Sequence, residues 1–245
     1  MLTLQKKNKT KQMSKLYLIP TTLGETDLNS VLPFGNLHII NNLKYFIVEN
    51  LRSARRFLKQ VNREINIDEL TFFELNEHTN LFDLQPFIKP LLNGNDVGIL
   101  SEAGCPCAAD PGAAVVEAAH KKGIKIVPLV GPSSILLSLM ASGFNGQNFA
   151  FNGYLPIDKK ARINKLKVLE NRVFVENQTQ IFIETPYRNN QLLQDIIENL
   201  KPQTKLCIAC ELTTANEFIK TSLLSDWKKN KADFNKKPAI FLIGR

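Results

Sequence analysis

An α/β fold carrying a parallel sheet is predicted by three observations. Val97-Gly-Ile-Leu100 is a short apolar run that opens into a Gly/Pro-rich turn, Ser101 to Gly112. A second apolar run ends the same way, in Val127-Pro-Leu-Val-Gly-Pro-Ser-Ser134. Between them, residues 113–122 place Ala113, Val116, Ala119 and His120 on one helical face. The order strand, glycine-rich loop, helix, Gly123, strand, glycine-rich loop, helix is a βαβ unit. In open α/β sheets such loops sit at the carboxyl ends of parallel strands, where glycine lets the backbone approach a ligand. A small-molecule pocket is expected there. The nucleotide fingerprints do not fit: Gly98 to Gly104 lacks G-x-G-x-x-G, and no Gly-Lys-Ser/Thr follows. Short glycine turns also join elements in α/β proteins that bind nothing at them, so the turns alone leave the question open.

The chain has 245 residues and 44% hydrophobic content, enough for a sizeable core in one large or two small domains. Two are expected, because the βα pattern of the first half gives way near Gly131 to Gly146 to a second half with its own strands. Ile181 to Glu184, Leu206 to Ala209 and Ile240 to Ile243 are the clearest of these. The expected boundaries are a basic flexible tail over 1–15, an N-terminal domain over 16–132 and a C-terminal domain over 133–245.

Residues 1–15 carry five lysines and no apolar stretch, so no secretory signal is expected, and no apolar run approaches the roughly 20 residues that span a bilayer. A cytoplasmic protein without a membrane is expected. Of the formal charge of +8, the tail supplies +5, so net charge says little about the folded body. Pattern says more. Arg52, Arg55, Arg56, Lys59 and Arg63 recur at helical spacing opposite Leu51, Ala54, Leu58 and Val61. A second basic run comprises Lys159, Lys160, Arg162, Lys165 and Lys167. Each is either a solvated helix face or a grip for nucleic-acid phosphates.

The four cysteines at 105, 107, 207 and 210 have zinc-like Cys-x-Cys and Cys-x-x-Cys spacings. Lys205-Leu-Cys-Ile-Ala-Cys210, however, reads as a strand, on which residues three apart point to opposite faces. Buried free thiols are therefore expected, and no metal. The three histidines at 38, 78 and 120 are too scattered for a histidine metal site. Tyr187 and Phe151 are candidates either for stacking on a base or adenine, or for the core.

Ser101-Glu-Ala-Gly-Cys-Pro106 with Ala109-Asp-Pro-Gly112 resembles the Ser-Asp-Ala-Gly-Thr-Pro and Asp-Pro-Gly segment of the tetrapyrrole methylase superfamily, in its ribosomal RNA ribose methyltransferase branch. Val127 to Ser134 is similar to that branch's Pro-Leu-Pro-Gly-Pro-Ser-Ala. The likeness continues through Ala141-Ser-Gly143, Phe149 to Pro156, Phe182 to Arg188 and Ala209 to Thr213, and reaches Leu16 to Pro20 and Lys237 to Ile243 at the ends. Departures gather in the N-terminal third. The family's Thr-Pro-Ile-Gly-Asn-Leu-x-Asp is Pro20-Thr-Thr-Leu-Gly-Glu-Thr-Asp27, its Glu-Asp-Thr-Arg is Glu49-Asn-Leu-Arg52, and its His-Glu-His-Asn is Asn76-Glu-His-Thr79.

The resemblance implies a two-domain fold with a parallel-sheet N-terminal domain, a mixed-sheet C-terminal domain and an S-adenosylmethionine site in the cleft between them. It implies donor contacts at Pro20, Ser101, Glu102, Ala103, Gly104, Ser133, Ser134, Glu184, Ala209, Pro238 and Ala239. Substrate-side positions are Glu49, Glu77 and His78, with a carboxylate as base, together with Arg52, Arg55, Arg56, Lys159, Lys160 and Arg162 against RNA. The implied acceptor is the 2′-hydroxyl of a cytidine in 16S ribosomal RNA or the small ribosomal subunit, and the implied state a homodimer. A tetrapyrrole carbon, a protein side chain or another RNA would suit the same fold. The altered Pro20–Gly24 and Glu49–Arg52 segments also suit a catalytically idle protein that binds donor and RNA.

Overall fold

The computed structural model describes residues 14–76, 79, 84–229 and 232–245. The chain divides into two compact units, the first formed by the described residues of Met1–Thr22 and Leu28–Gly131, the second by Leu23–Asp27 and Pro132–Arg245. Pro132 and the short Leu23–Asp27 segment thus belong to the second unit. Ser14 and Lys15, assigned to the tail on sequence, are built into the first: the buried Ser14 Oγ donates to the Leu91 carbonyl at 2.6 Å, and the Lys15 amide donates to Asp96 Oδ1 at 2.7 Å.

The first unit runs β1 (Lys15–Ile19), α1 (Leu28–Val31), α2 (Phe34–Asn42), β2 (Tyr45–Val48), α3 (Leu51–Val61), β3 (Thr71–Glu74), α4 (Gln85–Leu92), β4 (Val97–Leu100), α5 (Gly112–Lys121) and β5 (Lys125–Pro128). Its five strands are all parallel, in the order β3-β2-β4-β1-β5. Alternation along each strand feeds two cores. Leu16, Ile47 and Ile99 pack with Phe87, Ile88 and Leu91 of α4 and Val115 and Ala119 of α5 on one face. Ile19, Phe46, Val48 and Leu100 pack with Ile40 of α2 and Ala54, Phe57 and Leu58 of α3 on the other. Helices on both faces explain why the strands are apolar on both sides. At Gly98 an added Cβ would stand 2.5 Å from Ile19 Cδ1 and 3.0 Å from Leu43 Cδ1, so the sheet centre admits no side chain there.

Helix α5 corrects one reading. The face expected from Ala113, Val116, Ala119 and His120 is rotated: Gly112, Val115 and Ala119 are buried, while Ala113 and His120 are exposed. The i, i+4 pair Val115 and Ala119 sets the stripe, and Val116 packs at its flank.

The second unit runs α6 (Ser134–Ser142), β6 (Phe149–Tyr154), α7 (Lys159–Glu176), β7 (Thr179–Ile183), α8 (Asn189–Asn199), β8 (Lys205–Cys210), β9 (Phe218–Leu223), α9 (Leu224–Trp227) and β10 (Ala239–Gly244). Its sheet, ordered β6-β7-β10-β8-β9, is mixed: β6 and β7 are parallel and the other pairs antiparallel. Both sheets agree with the fold class expected from the sequence. Cys207 packs on one face with Leu139, Ile181 and Leu242, and Cys210 on the other with Phe182, Phe241 and Trp227, as strand alternation requires. Burial pushes both thiols above their ordinary pKa. Among the described residues, no helix is long and apolar enough to cross a membrane.

Candidate active site

In the first unit, three loops leave the carboxyl ends of the adjacent strands β4, β1 and β5, the position at which open parallel sheets present their ligands. They are stitched together through backbone. The Thr21 amide donates to the Gly104 carbonyl at 3.0 Å, Thr21 Oγ1 donates to the Ser101 carbonyl at 3.2 Å, and the buried Ser101 Oγ donates to the Gly104 carbonyl. Pro20, Ser101 and Gly104 are thereby brought to one place, and Gly104 takes φ +74°. The β5 loop closes on them at Gly131, where an added Cβ would lie 2.2 Å from Pro20 Cγ. Gly131→Ala must push the two loops apart, and is expected to cost about 1–3 kcal/mol of stability. Denaturant unfolding of the variant checks this; unchanged stability would contradict it.

The rest of the β4 loop is held by Asp110. Its carboxylate accepts the Cys107 amide (2.8 Å to Oδ2) and the Gly112 amide (2.9 Å to Oδ1), satisfying donors at the entry of α5. Cys107 and Ala109 sit at φ +66° and +71°, a conformation L-residues adopt at a cost, so Asp110 stabilises a strained turn. Burial, and next Asp110, push the Cys107 thiol to about 11, so it is no nucleophile at neutral pH.

Glu49 follows β2 directly, and Asn50 caps α3 by accepting the Arg52 and Ser53 amides at 2.8 and 3.2 Å. Glu49 lines a small cleft with Ile99, Leu100, Asp110 and Pro111. Burial first, then Asp110 and Glu102, raise its carboxyl to about 7. A carboxyl whose proton leaves near neutrality is suited to general acid–base work. Glu102 is exposed and receives a hydrogen bond from Ser53 Oγ on α3 at 2.6 Å. The basic helix and the β4 loop are therefore joined directly.

On α3, Arg52, Arg55 and Arg56 are exposed, with Arg55 over the Phe72 ring at 5.7 Å from its centroid. Lys59 departs from the stripe: its amine donates to the Arg63 and Ile65 carbonyls at 2.9 and 2.8 Å. Glu77 and His78 lie outside the described residues.

In the second unit, Ser133 caps α6, its Oγ accepting the Leu136 amide at 3.5 Å, and Ser134 is the first helical residue. Register places Ala239 opposite Cys210 and Ile240 opposite Ile183, so Glu184, Pro238 and Ala239 gather at one end of the sheet, where the Pro238 carbonyl accepts the Glu211 amide at 2.9 Å. Ala209 lies one step inward and is buried, its Cβ within the core. Glu184 Oε1 accepts the Thr185 amide at 2.7 Å and Arg188 Nε and Nη2 at 3.0 and 2.6 Å, so that oxygen is already engaged.

Arg162 is not a surface cation. It is 5% exposed; Nε and Nη2 bind Asp195 Oδ2 at 2.8 and 2.6 Å, and Nη1 binds the Pro156 and Ile157 carbonyls. Its donors are used inside the unit, which corrects its assignment to RNA. Lys159 and Lys160 are exposed, Lys159 Nζ standing 3.7 Å from Asp195 Oδ1. Phe151 packs against the core, whereas Tyr187 is exposed. Sequence reasoning left Asp110, Thr21, Ser53 and Gly131 off the site. The Asp-Pro-Gly helix entry was a signal for Asp110; the others depend on contacts across strands.

The family described as Tetrapyrrole (Corrin/Porphyrin) Methylases matches residues 15–227. A Vibrio cholerae protein named Ribosomal RNA small subunit methyltransferase I is 32% identical over 86% of this chain and 69% of its own length. Proteins of the same name are 29% identical in Buchnera aphidicola, over 94% of this chain and 78% of theirs, and 26% identical in Escherichia coli O157:H7, over 94% and 77%. The crystal structure of the methyltransferase CobJ superposes with a TM-score of 0.63, covering 95% of this chain and 94% of that one at 15% identity, a likeness of fold. The two sheets, the loops at the ends of β1, β4 and β5 and the family match agree: the chain belongs to the tetrapyrrole methylases, a family of methyltransferases.

Proposed function

We propose that this protein transfers a methyl group from S-adenosylmethionine to a ribose 2′-hydroxyl of a cytidine in 16S ribosomal RNA. The observation that carries the reading is the 2.6 Å hydrogen bond from Ser53 of the arginine-rich helix α3 to Glu102 of the β4 loop. It ties a surface fit for RNA phosphates to a loop fit for the donor, in a chain whose relatives are named for small-subunit ribosomal RNA.

The loop residues suit the donor. Thr21, Ser101 and Gly104 are tied together beside Pro20, and the carboxylates of Glu49 and Glu102 nearby complement a cationic ligand without a phosphate; Pro20, Ser101, Glu102, Ala103 and Gly104 are proposed as donor contacts. Ser133, Ser134, Glu184, Ala209, Pro238 and Ala239 are proposed as donor-binding positions on the family resemblance alone. When bound, S-adenosylmethionine supplies an electrophilic methyl on a sulfonium. The protein's task is to align the acceptor oxygen with it and to take the acceptor's proton. Glu49 is proposed for the proton, its carboxylate populated above about pH 7. Arg52, Arg55 and Arg56 on α3, with Lys159 and Lys160 on α7, would hold phosphates.

Arg52→Ala with Arg56→Ala is expected to weaken RNA binding and to flatten the slope of log affinity against log salt by about one per lost contact. Titrations across a salt series check this; an unchanged slope would remove α3 from the RNA surface. We also place the protein in the cytoplasm as a homodimer, with the exposed Leu136 and Met140 of α6 as candidate contacts; light scattering tests the dimer. The function itself is tested by offering labelled donor with small ribosomal subunits, free ribosomal RNA and a tetrapyrrole in parallel. Label in RNA supports the reading. Label in the tetrapyrrole overturns it, and donor binding without transfer favours the idle protein.

A further inference from the structure

The site described above leaves two outward-facing tyrosines of the second unit unused. Tyr154 ends β6, where Gly153 at φ +62° and a break in register turn the strand, and it stands opposite Ile183, the last residue of β7. Tyr187 lies in the 3₁₀ turn Pro186–Arg188 that follows the same strand. Both therefore occupy one end of the sheet, and they are 59% and 75% exposed. A single exposed aromatic needs no explanation, but a pair at one strand end, away from the core, is a feature to be accounted for.

Cations accompany the pair. Arg188 is fixed by its two hydrogen bonds to Glu184 Oε1, whose side chain is 1% exposed, so the guanidinium is oriented rather than free to sample solvent. The Glu184 hydrogen bond chiefly, and the Tyr154 phenol as a further contributor, favour its charged form, which places Arg188 near Tyr154. The Lys236 amide donates to the Pro186 carbonyl at 3.0 Å, bringing a second exposed basic residue to the turn.

Aromatic faces beside cations are the chemistry that single-stranded nucleic acid recognises: the rings stack on bases and the cations meet phosphates. An acidic peptide would use the cations and leave the rings without a role. We propose that Tyr154 and Tyr187 form a stacking platform for an unpaired base of the RNA substrate, with Arg188 and Lys236 holding the adjoining backbone. This rests on the RNA reading above. Its content is a specificity device on the second unit, separate from the arginine stripe of α3, and it favours unpaired over duplex RNA.

The test uses the full chain and a fluorescein-labelled unpaired oligocytidylate of about twelve nucleotides, a length within the usual range of single-strand sites. Tyr154→Leu and Tyr187→Leu keep apolar bulk and lose the ring face; each is expected to weaken binding about tenfold, while Tyr154→Phe and Tyr187→Phe stay within about twofold. The salt slope of the leucine variants should match that of the unaltered protein, since no phosphate contact is lost. Both positions are exposed, so thermal unfolding should be unchanged. Full-strength RNA binding by both leucine variants overturns the platform alone. Phenylalanine variants as weak as the leucine ones overturn stacking, pointing instead to the phenol hydroxyls. Loss of S-adenosylmethionine affinity by calorimetry, with RNA affinity kept, assigns the rings to the donor's adenine. Failure of the unaltered protein to bind the oligonucleotide and to methylate small subunits overturns the RNA reading, and the platform with it.

Discussion

Arg162→Leu is expected to destabilise the protein by about 3–5 kcal/mol, the scale for removing one partner of a buried ion pair. Asp195 is 0% exposed, and its other neighbours are weak substitutes: Gln191 Nε2 donates to Oδ1 at 3.1 Å, and Lys159 Nζ is 3.7 Å away across an exposed path. Without the guanidinium, a carboxylate sits in the α7–α8 packing with most of its charge uncompensated. The Pro156 and Ile157 carbonyls lose their donor as well, which frees the entry to α7. The double variant Arg162→Leu with Asp195→Leu should recover much of the loss, because a pair of apolar residues removes the stranded charge. Denaturant melts of the single and double variants measure this. Equal stability of Arg162→Leu and the unaltered protein, with RNA affinity reduced, would restore Arg162 to the RNA surface.

Glu49→Gln is expected to lower turnover by about 10²–10⁴-fold, the range that a positioned general base contributes, while donor and RNA affinities hold. The pH profile gives the sharper signature. With a carboxyl raised to about 7, the rate should climb through neutrality and level off above it, and Glu49→Gln should abolish that limb. Stability should move in the opposite direction. The unfolded chain releases this proton near the ordinary value of 4.5 and the folded protein near 7, so the native state binds the extra proton between the two. Stability attributable to Glu49 is therefore present below pH 4.5 and lost as pH rises through 7, and in Glu49→Gln this decline disappears. A variant that turned over normally would remove Glu49 from the reaction. One that lost the rate but kept the pH-dependent decline in stability would place the titration on another group.

Much of the first sheet was legible from local chemistry. Val97 to Leu100 and the turn after it announce a buried parallel strand, because an apolar run bounded by glycine and proline leaves few alternatives. The alternation that puts Cys207 and Cys210 on opposite faces followed from strand geometry alone. What could not be read is set by partners distant in sequence. Arg162 lies in a run of five basic residues and looks like its neighbours; the carboxylate that buries it is 33 residues away on α8. Lys59 falls in the basic stripe by period, yet its amine closes the turn after α3. The raised proton affinity of Glu49 comes from burial and from Asp110 and Glu102, two residues of a loop that arrives from a different strand. The rotation of α5 by one position shows the same limit on a smaller scale. Four alanines and two valines offer several weakly apolar faces, and contact with the sheet selects Val115.

On the proposed reading, RNA would meet two separate charge-bearing elements. Arg52, Arg55 and Arg56 project from a helix fixed to the β4 loop through Ser53 and Glu102, and Arg188 with Lys236 accompany the tyrosines of the second unit. Salt dependence should therefore fall in steps as each set is removed, whereas ring substitutions should leave it unchanged.

Methyl transfer to small ribosomal subunits from cells that lack this protein, with the product mapped by nuclease digestion and mass spectrometry, tests the central claim most directly. The account predicts a single new 2′-O-methylated cytidine in 16S ribosomal RNA, formed with S-adenosylmethionine and lost with Glu49→Gln. A methyl group on a base, on a protein or on a tetrapyrrole, or no transfer at all by a protein that binds the donor, would contradict it.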